Sequence, residues 1–314
     1  MKTLAPVVLF TYNRPKHLLK TLEALRNNDL ASQTEIYIYS DGSRNEESNN
    51  KVREVREILN RLSGFKNIHL TFRETNVGLA ANIINGVTEI VNKFGKVIVL
   101  EDDLVTSPYF LKFMNQALDT YENKGRISQV VGYSYYEKNS KKYNLTDGVL
   151  VRGADCLGWG TWSRAWEKFN PNSSVLIEQL EKQNLVNEFN FDNSYNYFEM
   201  LKLQNKGQIN SWAIRWMASA FLEEMYTYYP SKSLVIHIGN DSEASNYFFK
   251  SKDPLRVPVC QSEIIPKVLE LNEDLIQRSR LAHIAYLKKF QPSLLEKIIR
   301  KVYGLLRKSV NITR

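Results

Sequence analysis

Through its first 132 residues the chain alternates short apolar runs with stretches whose apolar positions recur every three or four residues. PVVLF (6–10) reads as a buried strand, followed from about Pro15 by a helix with Leu18, Leu19, Leu22 and Leu25 on one face. EIYIYS (35–40) is a second strand, and Val52, Val55, Ile58, Leu59 and Leu62 mark a helix over 47–62. NIHLTF (67–72) is a third strand, with a helix from near Leu79, and KVIVL (96–100) is a fourth. Ser107-Pro108 opens the helix after it. Strands alternating with helices predict an α/β fold, a mostly parallel sheet flanked by helices. After Gly132 the pattern turns irregular and rich in Tyr, Trp and Asn, as in GWGTWSRAW (158–166), SYNYFEML (194–201) and SWAIRW (211–216).

A parallel sheet brings the carboxyl ends of its strands to one edge, where ligands bind. Four loops fall there: Thr11-Tyr12-Asn13-Arg14, Ser40-Asp41-Gly42-Ser43, Glu74 to Gly78, and Glu101-Asp102-Asp103. The last places three carboxylates side by side, and such a group needs either water or a cation. Its position after a buried strand, opposite Asp41 and the Thr11 loop, favours a cation. The aromatic segments suit sugar rings, which stack on aromatic faces while amides bind hydroxyls. Of the tryptophans, Trp162, Trp166, Trp212 and Trp216 read mostly as core, whereas Trp159, between two glycines, reads as a ligand contact.

Composition narrows this further. The net charge of +8 sits almost wholly at the end of the chain: from His283 onward eight Lys or Arg face one Glu, leaving the body nearly neutral. A neutral body and a basic segment without base-stacking aromatics argue against nucleic-acid binding. Cys156 and Cys260 lie too far apart for a metal motif and read as reduced thiols of a cytoplasmic protein. The opening apolar stretch contains Pro6 and no small-residue cleavage site, so it reads as a strand and not as a leader.

The ordered loops resemble a known family. VVLFTYNRP, IYSDGS, NVGLAANIINGV, VIVLEDDLVTSPYFLKFMN, GWGTW and SWAIRW are similar, in order and spacing, to nucleotide-sugar glycosyltransferases of the GT-A fold. The likeness is to bacterial family 2-like enzymes, and also to eukaryotic N-acetylglucosaminyltransferases with a Glu-Asp-Asp motif. The resemblance covers about residues 5 to 245. It implies a GT-A domain over 1–245, with a nucleotide-binding half (1–132) and an acceptor half (133–245), followed by a C-terminal extension over 246–314. It implies a sugar donor, most simply a UDP-sugar, a glycan or lipid-linked acceptor, and inverting transfer assisted by Mn2+ or Mg2+. Asp103 would be the direct metal ligand, with His237 near the metal or the phosphates. Glu101 and Asp102 would face the nucleoside and ribose, and Asp41 would accept from the base. Thr11, Asn13 and Arg14 would line the base and ribose pocket, with Asn76, Gly78, Asn82 and Trp159 also on the donor side.

Inverting transfer needs a base for the acceptor hydroxyl. Eukaryotic relatives carry one in a Trp-Asp-Asp-Trp segment that overlies Trp212-Ala213-Ile214-Arg215, where this chain has no carboxylate. Asp155 is the first candidate, then Asp241 and Glu199. Two alternatives stand beside the transferase: a catalytically inactive glycan- or nucleotide-binding relative, and a sugar nucleotidyltransferase. The latter should show a glycine-rich phosphate loop where this chain has FTYNRP.

PSLLEKIIRKVYGLLRKSV (292–310) opens with a capping box, Ser293 to Glu296, and carries a basic face opposite an apolar one. Such a helix suits an anionic membrane surface, placing the protein peripherally on the inner face of the cell membrane. The same apolar face would equally serve the catalytic domain or a second copy, giving a homo-oligomer.

Overall fold

Four strands run parallel at the heart of the molecule: β1 (Val7–Thr11), β2 (Glu35–Ser40), β3 (Asn67–Phe72) and β4 (Lys96–Glu101). The computed structural model to which they belong describes residues 3–241 and 257–290. The helices between them are α1 (Pro15–Arg26), α2 (Glu46–Asn60) and α3 (Leu79–Phe94). Proline at the first position of α1 loses no helical hydrogen bond there. Asn45 and Ser48 cap α2 reciprocally. β1 is buried at all five positions, as befits a central strand covered on both faces.

The remaining elements are β5 (Leu104–Thr106), α4 (Phe110–Tyr121), β6 (Ile127–Val131), β7 (Val149–Arg152) and β8 (Trp159–Trp162). They are followed by α5 (Ser163–Trp166), α6 (Ser173–Lys182), α7 (Val186–Phe189), α8 (Tyr197–Asn205), α9 (Trp212–Leu222), β9 (Tyr226–Tyr229), β10 (Val235–His237) and α10 (Glu273–Leu287). Four of these strands extend the parallel core into one eight-stranded mixed sheet, ordered β3-β2-β1-β4-β8-β6-β9-β7. A single sheet therefore runs through both halves of the expected catalytic domain. GWGTW is no loop: β8 pairs antiparallel with both β4 and β6.

That placement corrects the reading of Trp159. It is 1% exposed, stacked on Trp212 with ring centroids 5.3 Å apart and packed against Trp166. The glycines beside it serve a buried strand, so it has no surface for a ligand. Trp162, Trp166, Trp212 and Trp216 are buried as well.

The outer strand β7 is covered by α10. Leu150 N donates to Ser279 Oγ at 3.3 Å, and Arg280 grips Asp192 with two hydrogen bonds of 2.7 Å. This occupies an edge that would otherwise invite pairing. Arg280 thereby anchors Phe191, Asp192 and Asn193, three consecutive residues in the left-handed region. The basic amphipathic segment at 292–310 lies outside the described residues. Among the described residues no helix is long and apolar enough to cross a membrane.

α10 also buries His283, whose Nδ1 lies 2.7 Å from the Tyr136 hydroxyl. Burial pushes its imidazole down to about 3. The folded state thus holds a neutral ring, hydrogen-bonded to Tyr136, across the pH range in which an unfolded histidine takes a proton. Its contribution is intact above pH ~6.5 and is lost as the pH falls toward the folded value. Between pH ~6.5 and ~5 the expected loss is about 2 kcal/mol. Urea unfolding at pH 7 and pH 5 checks this, with His283→Gln expected to flatten the difference.

Candidate active site

Strand register gathers the polar loops. Thr11 pairs with Ser40, and Phe10 with Glu101, so β1, β2 and β4 end at one level. Residues just beyond those ends share one edge of the sheet. β10 then runs antiparallel to β5 with His237 opposite Leu104, and Ile238 N donates to Asp103 O at 2.9 Å. His237 is delivered beside Asp103 by this short pairing.

The three carboxylates take different roles. Asp102 turns inward, its Oδ2 accepting from Thr11 Oγ1 at 2.8 Å and Tyr12 N at 3.2 Å, while Thr21 Oγ1 binds its carbonyl. It ties the β1 loop to the end of β4. Asp103 turns into the site. Its Oδ2 accepts from Arg14 Nη1 at 2.9 Å and lies 3.4 Å from His237 Nε2. Glu101 is half-buried.

The electrostatics follow from this crowding. Burial, then the charges of Asp103 and Asp102, push the Glu101 carboxyl up to about 8. Burial and Asp103 likewise raise Asp102, against the hydrogen bond from Thr11. Burial acts on Asp103 in the same direction, but the hydrogen bond and charge of His237, with Arg14 and His17, hold it below the ordinary range. Asp103 is therefore the member of the cluster that is held ionised, with Arg14 against it.

Arg14 links several elements. Besides Asp103 it donates through Nη2 to Gly239 O at 2.8 Å and Asp241 Oδ1 at 3.1 Å. His17 joins the group, its Nε2 2.9 Å from Asp241 Oδ2 and 3.1 Å from Arg14 Nη2. A proton on Nε2 would be donated to Asp241, and a bare Nε2 would accept from Arg14. Sequence reasoning missed His17. The available signal was its place three residues after Arg14 in the first turn of α1, where both share a face.

Asp41 is committed to the loops. Oδ1 accepts from Gly42 N and Val77 N, both at 2.9 Å, and Oδ2 from Gly78 N at 2.9 Å and Asn76 Nδ2 at 3.1 Å. With these four bonds Asp41 ties the loop after β2 to residues 76–78. Asn82, 2% exposed, accepts from Arg73 Nε at 3.0 Å. Arg73 was also missed; it follows β3 directly, and its backbone N–H binds Ser40 O. Asn13 lies half-buried in the β1 loop.

The three base candidates separate. Asp155 accepts from Cys156 N, Leu157 N and the hydroxyls of Tyr135 and Tyr229, at 2.6, 3.1, 2.7 and 3.1 Å. Burial raises its carboxyl, but no acceptor position remains for a substrate hydroxyl. Glu199 lies exposed on α8, paired with Lys202 at 2.6 Å and thereby held below the usual range. Asp241 alone combines a place among the site residues with substantial exposure, 43% of its side chain.

Among the described residues no group of three or more His, Cys, Asp and Glu could hold a metal ion by itself. Asp103 and His237 nevertheless form a two-ligand set of carboxylate and imidazole. Such a set fits a divalent ion completed by phosphate oxygens and water.

Residues 7–179 match the family model described as glycosyl transferase family 2. Residues 1–349 of TarS from S. aureus, solved with UDP-GlcNAc, share 13% identity, with 74% of this chain and 57% of that one covered and a TM-score of 0.40. The same TarS fragment with UDP shares 18%, covering 41% and 34%, at a TM-score of 0.29. The mannosyltransferase PcManGT from Pyrobaculum calidifontis, solved with GDP-Man and Mn2+, shares 13%, covering 57% and 47%, at 0.35. The chain thus spans between a third and three-fifths of the length of these structures. No curated protein matches it.

Proposed function

Because the chain belongs to glycosyl transferase family 2, we propose that this glycosyltransferase moves a sugar from a UDP-sugar to a glycan or lipid-linked acceptor, with inversion and with help from a divalent metal. The observation that carries the metal and donor reading is the meeting of Asp103, His237 and Arg14 at the carboxyl edge of β1 and β4. Breaking the sugar–phosphate bond leaves negative charge on the diphosphate, which must be stabilised where it forms. Asp103 and His237 would hold Mn2+ or Mg2+, which supplies Lewis-acid stabilisation of the diphosphate when bound. The β1 loop and the Asp41-shaped wall, built from Gly42 and residues 76–78, border the nucleoside. Asp241 is the base that best fits exposure and position, taking the proton of the acceptor hydroxyl as it attacks the anomeric carbon.

Thermal-shift screening of nucleotide sugars, with and without Mn2+, tests the reading together with release of free UDP. A UDP-sugar that raises the melting temperature in a Mn2+-dependent way, and is turned over, supports it. Binding without turnover toward any acceptor or water would favour the catalytically inactive relative. Metal-dependent stabilisation that survives Asp103→Ala would remove Asp103 from the metal site.

A further inference from the structure

Arg14 is the residue whose surroundings say most beyond this reading. Its side chain is 12% exposed and serves three acceptors: Asp103, Gly239 O and Asp241. One guanidinium thereby joins the end of β4 to the segment following β10. Its Nε is buried without a hydrogen-bond partner, so the group is short of acceptors even here. Gly239 makes the close approach possible, since a Cβ there would overlap Asp103 Oδ2 and crowd His237 Nε2.

A cation in this position stands between two anions. One is Asp103, which it meets now. The other arrives with the donor, whose diphosphate must come to rest beside the same carboxylate if Asp103 takes the metal. A guanidinium and a divalent ion on one carboxylate repel each other, whereas a guanidinium on phosphate is matched in shape and charge. We propose that Arg14 is an exchangeable counter-ion: it neutralises Asp103 while the donor is absent and passes to the donor diphosphate when Asp103 takes the metal. The proposal rests on the donor reading above. No covalent bond changes, and charge stays balanced: Asp103 trades one cation for another, and the guanidinium trades a carboxylate oxygen for a phosphate oxygen. Nη2 retains Gly239 O and Asp241, so only the Nη1 contact is exchanged. The exchange gives the ligand-free site a resident charge in place of bare, mutually repelling carboxylates. It also supplies a second positive group for the leaving diphosphate.

The exchange predicts effects of opposite sign from one substitution. Mn2+ binding to the ligand-free protein, followed by electron paramagnetic resonance, and calorimetric titration of UDP and of uridine at saturating Mn2+ are the measurements. Arg14→Met should tighten Mn2+ binding about ten-fold by removing a unit charge from Asp103. The same variant should weaken UDP about ten-fold or more and leave uridine unchanged. Arg14→Lys, which keeps the charge but loses the planar fork, should leave Mn2+ near wild type and weaken UDP by less. Mn2+ binding that is unchanged or weaker in Arg14→Met overturns the exchange, as does equal weakening of UDP and uridine. If Arg14→Met does not fold, Arg14→Lys decides: UDP held as tightly as in wild type overturns the proposal. Failure of the wild-type protein to bind both Mn2+ and UDP overturns the donor reading, and the exchange with it.

Discussion

Asp103→Asn is expected to lower turnover by about 10^2- to 10^3-fold, the usual cost of losing a charge aimed at the developing transition state. The fold should survive, for a reason visible in the cluster. Asp103 is the charged neighbour that helps hold Glu101 and Asp102 above the ordinary carboxyl range. Removing its charge relieves both, while Arg14 keeps Gly239 O and Asp241 as partners. The melting temperature should therefore be equal to or above that of wild type, and UDP release should nearly vanish. Such a pairing marks a residue retained for function at the expense of stability. A variant that kept near wild-type turnover would sink the assignment; one that unfolded would show that Asp103 holds the loop together.

Gly42→Ala is expected to damage the donor pocket and the fold at once. A Cβ at this position would overlap the carbonyl carbon of Thr75 and crowd its oxygen and Asn76 N. These are backbone atoms, so no side chain can rotate away. The β2 and β3 loops must separate, which strains the 2.9 Å hydrogen bonds from Val77 and Gly78 to Asp41. Overpacking of this kind costs roughly 1–3 kcal/mol, and each buried hydrogen bond lost adds about 1 kcal/mol. A loss of about 3 kcal/mol in urea unfolding is the expected result. UDP affinity should fall with it, because the loops that move form the wall of the proposed nucleoside pocket. Unchanged stability would mean that these loops yield easily and that Asp41 does not fix them.

Legibility differed between the halves for a physical reason. EIYIYS and NIHLTF were read to the residue, and the strands ending at Thr11 and Glu101 to within one. Apolar runs of five or six residues bounded by polar loops leave little ambiguity. β7, β8, β9 and β10 have four residues or fewer, and several are built from Tyr, Trp, Thr and Gly. Runs so short carry no period, and their aromatic, polar composition imitates a loop. Trp159 was misread for this reason: two flanking glycines suggested a ligand contact, whereas they allow a central strand to pack closely.

The sequence by itself determined the parallel core, the order of its loops and the acidic cluster at the end of β4, since each is written in contiguous residues. Only the tertiary structure decided what the cluster meets. Arg14 comes from 89 residues before Asp103, and the Gly239 carbonyl that it also binds lies 225 residues after Arg14. His237 arrives through a three-residue strand paired with β5. No local pattern encodes such a meeting, because it is fixed by strand register and by the path of the chain around the sheet. The partners of Asp102 and Asp103 also came to light only in three dimensions. Neighbouring side chains at a strand end point different ways, and burial together with distant partners sets which one stays charged.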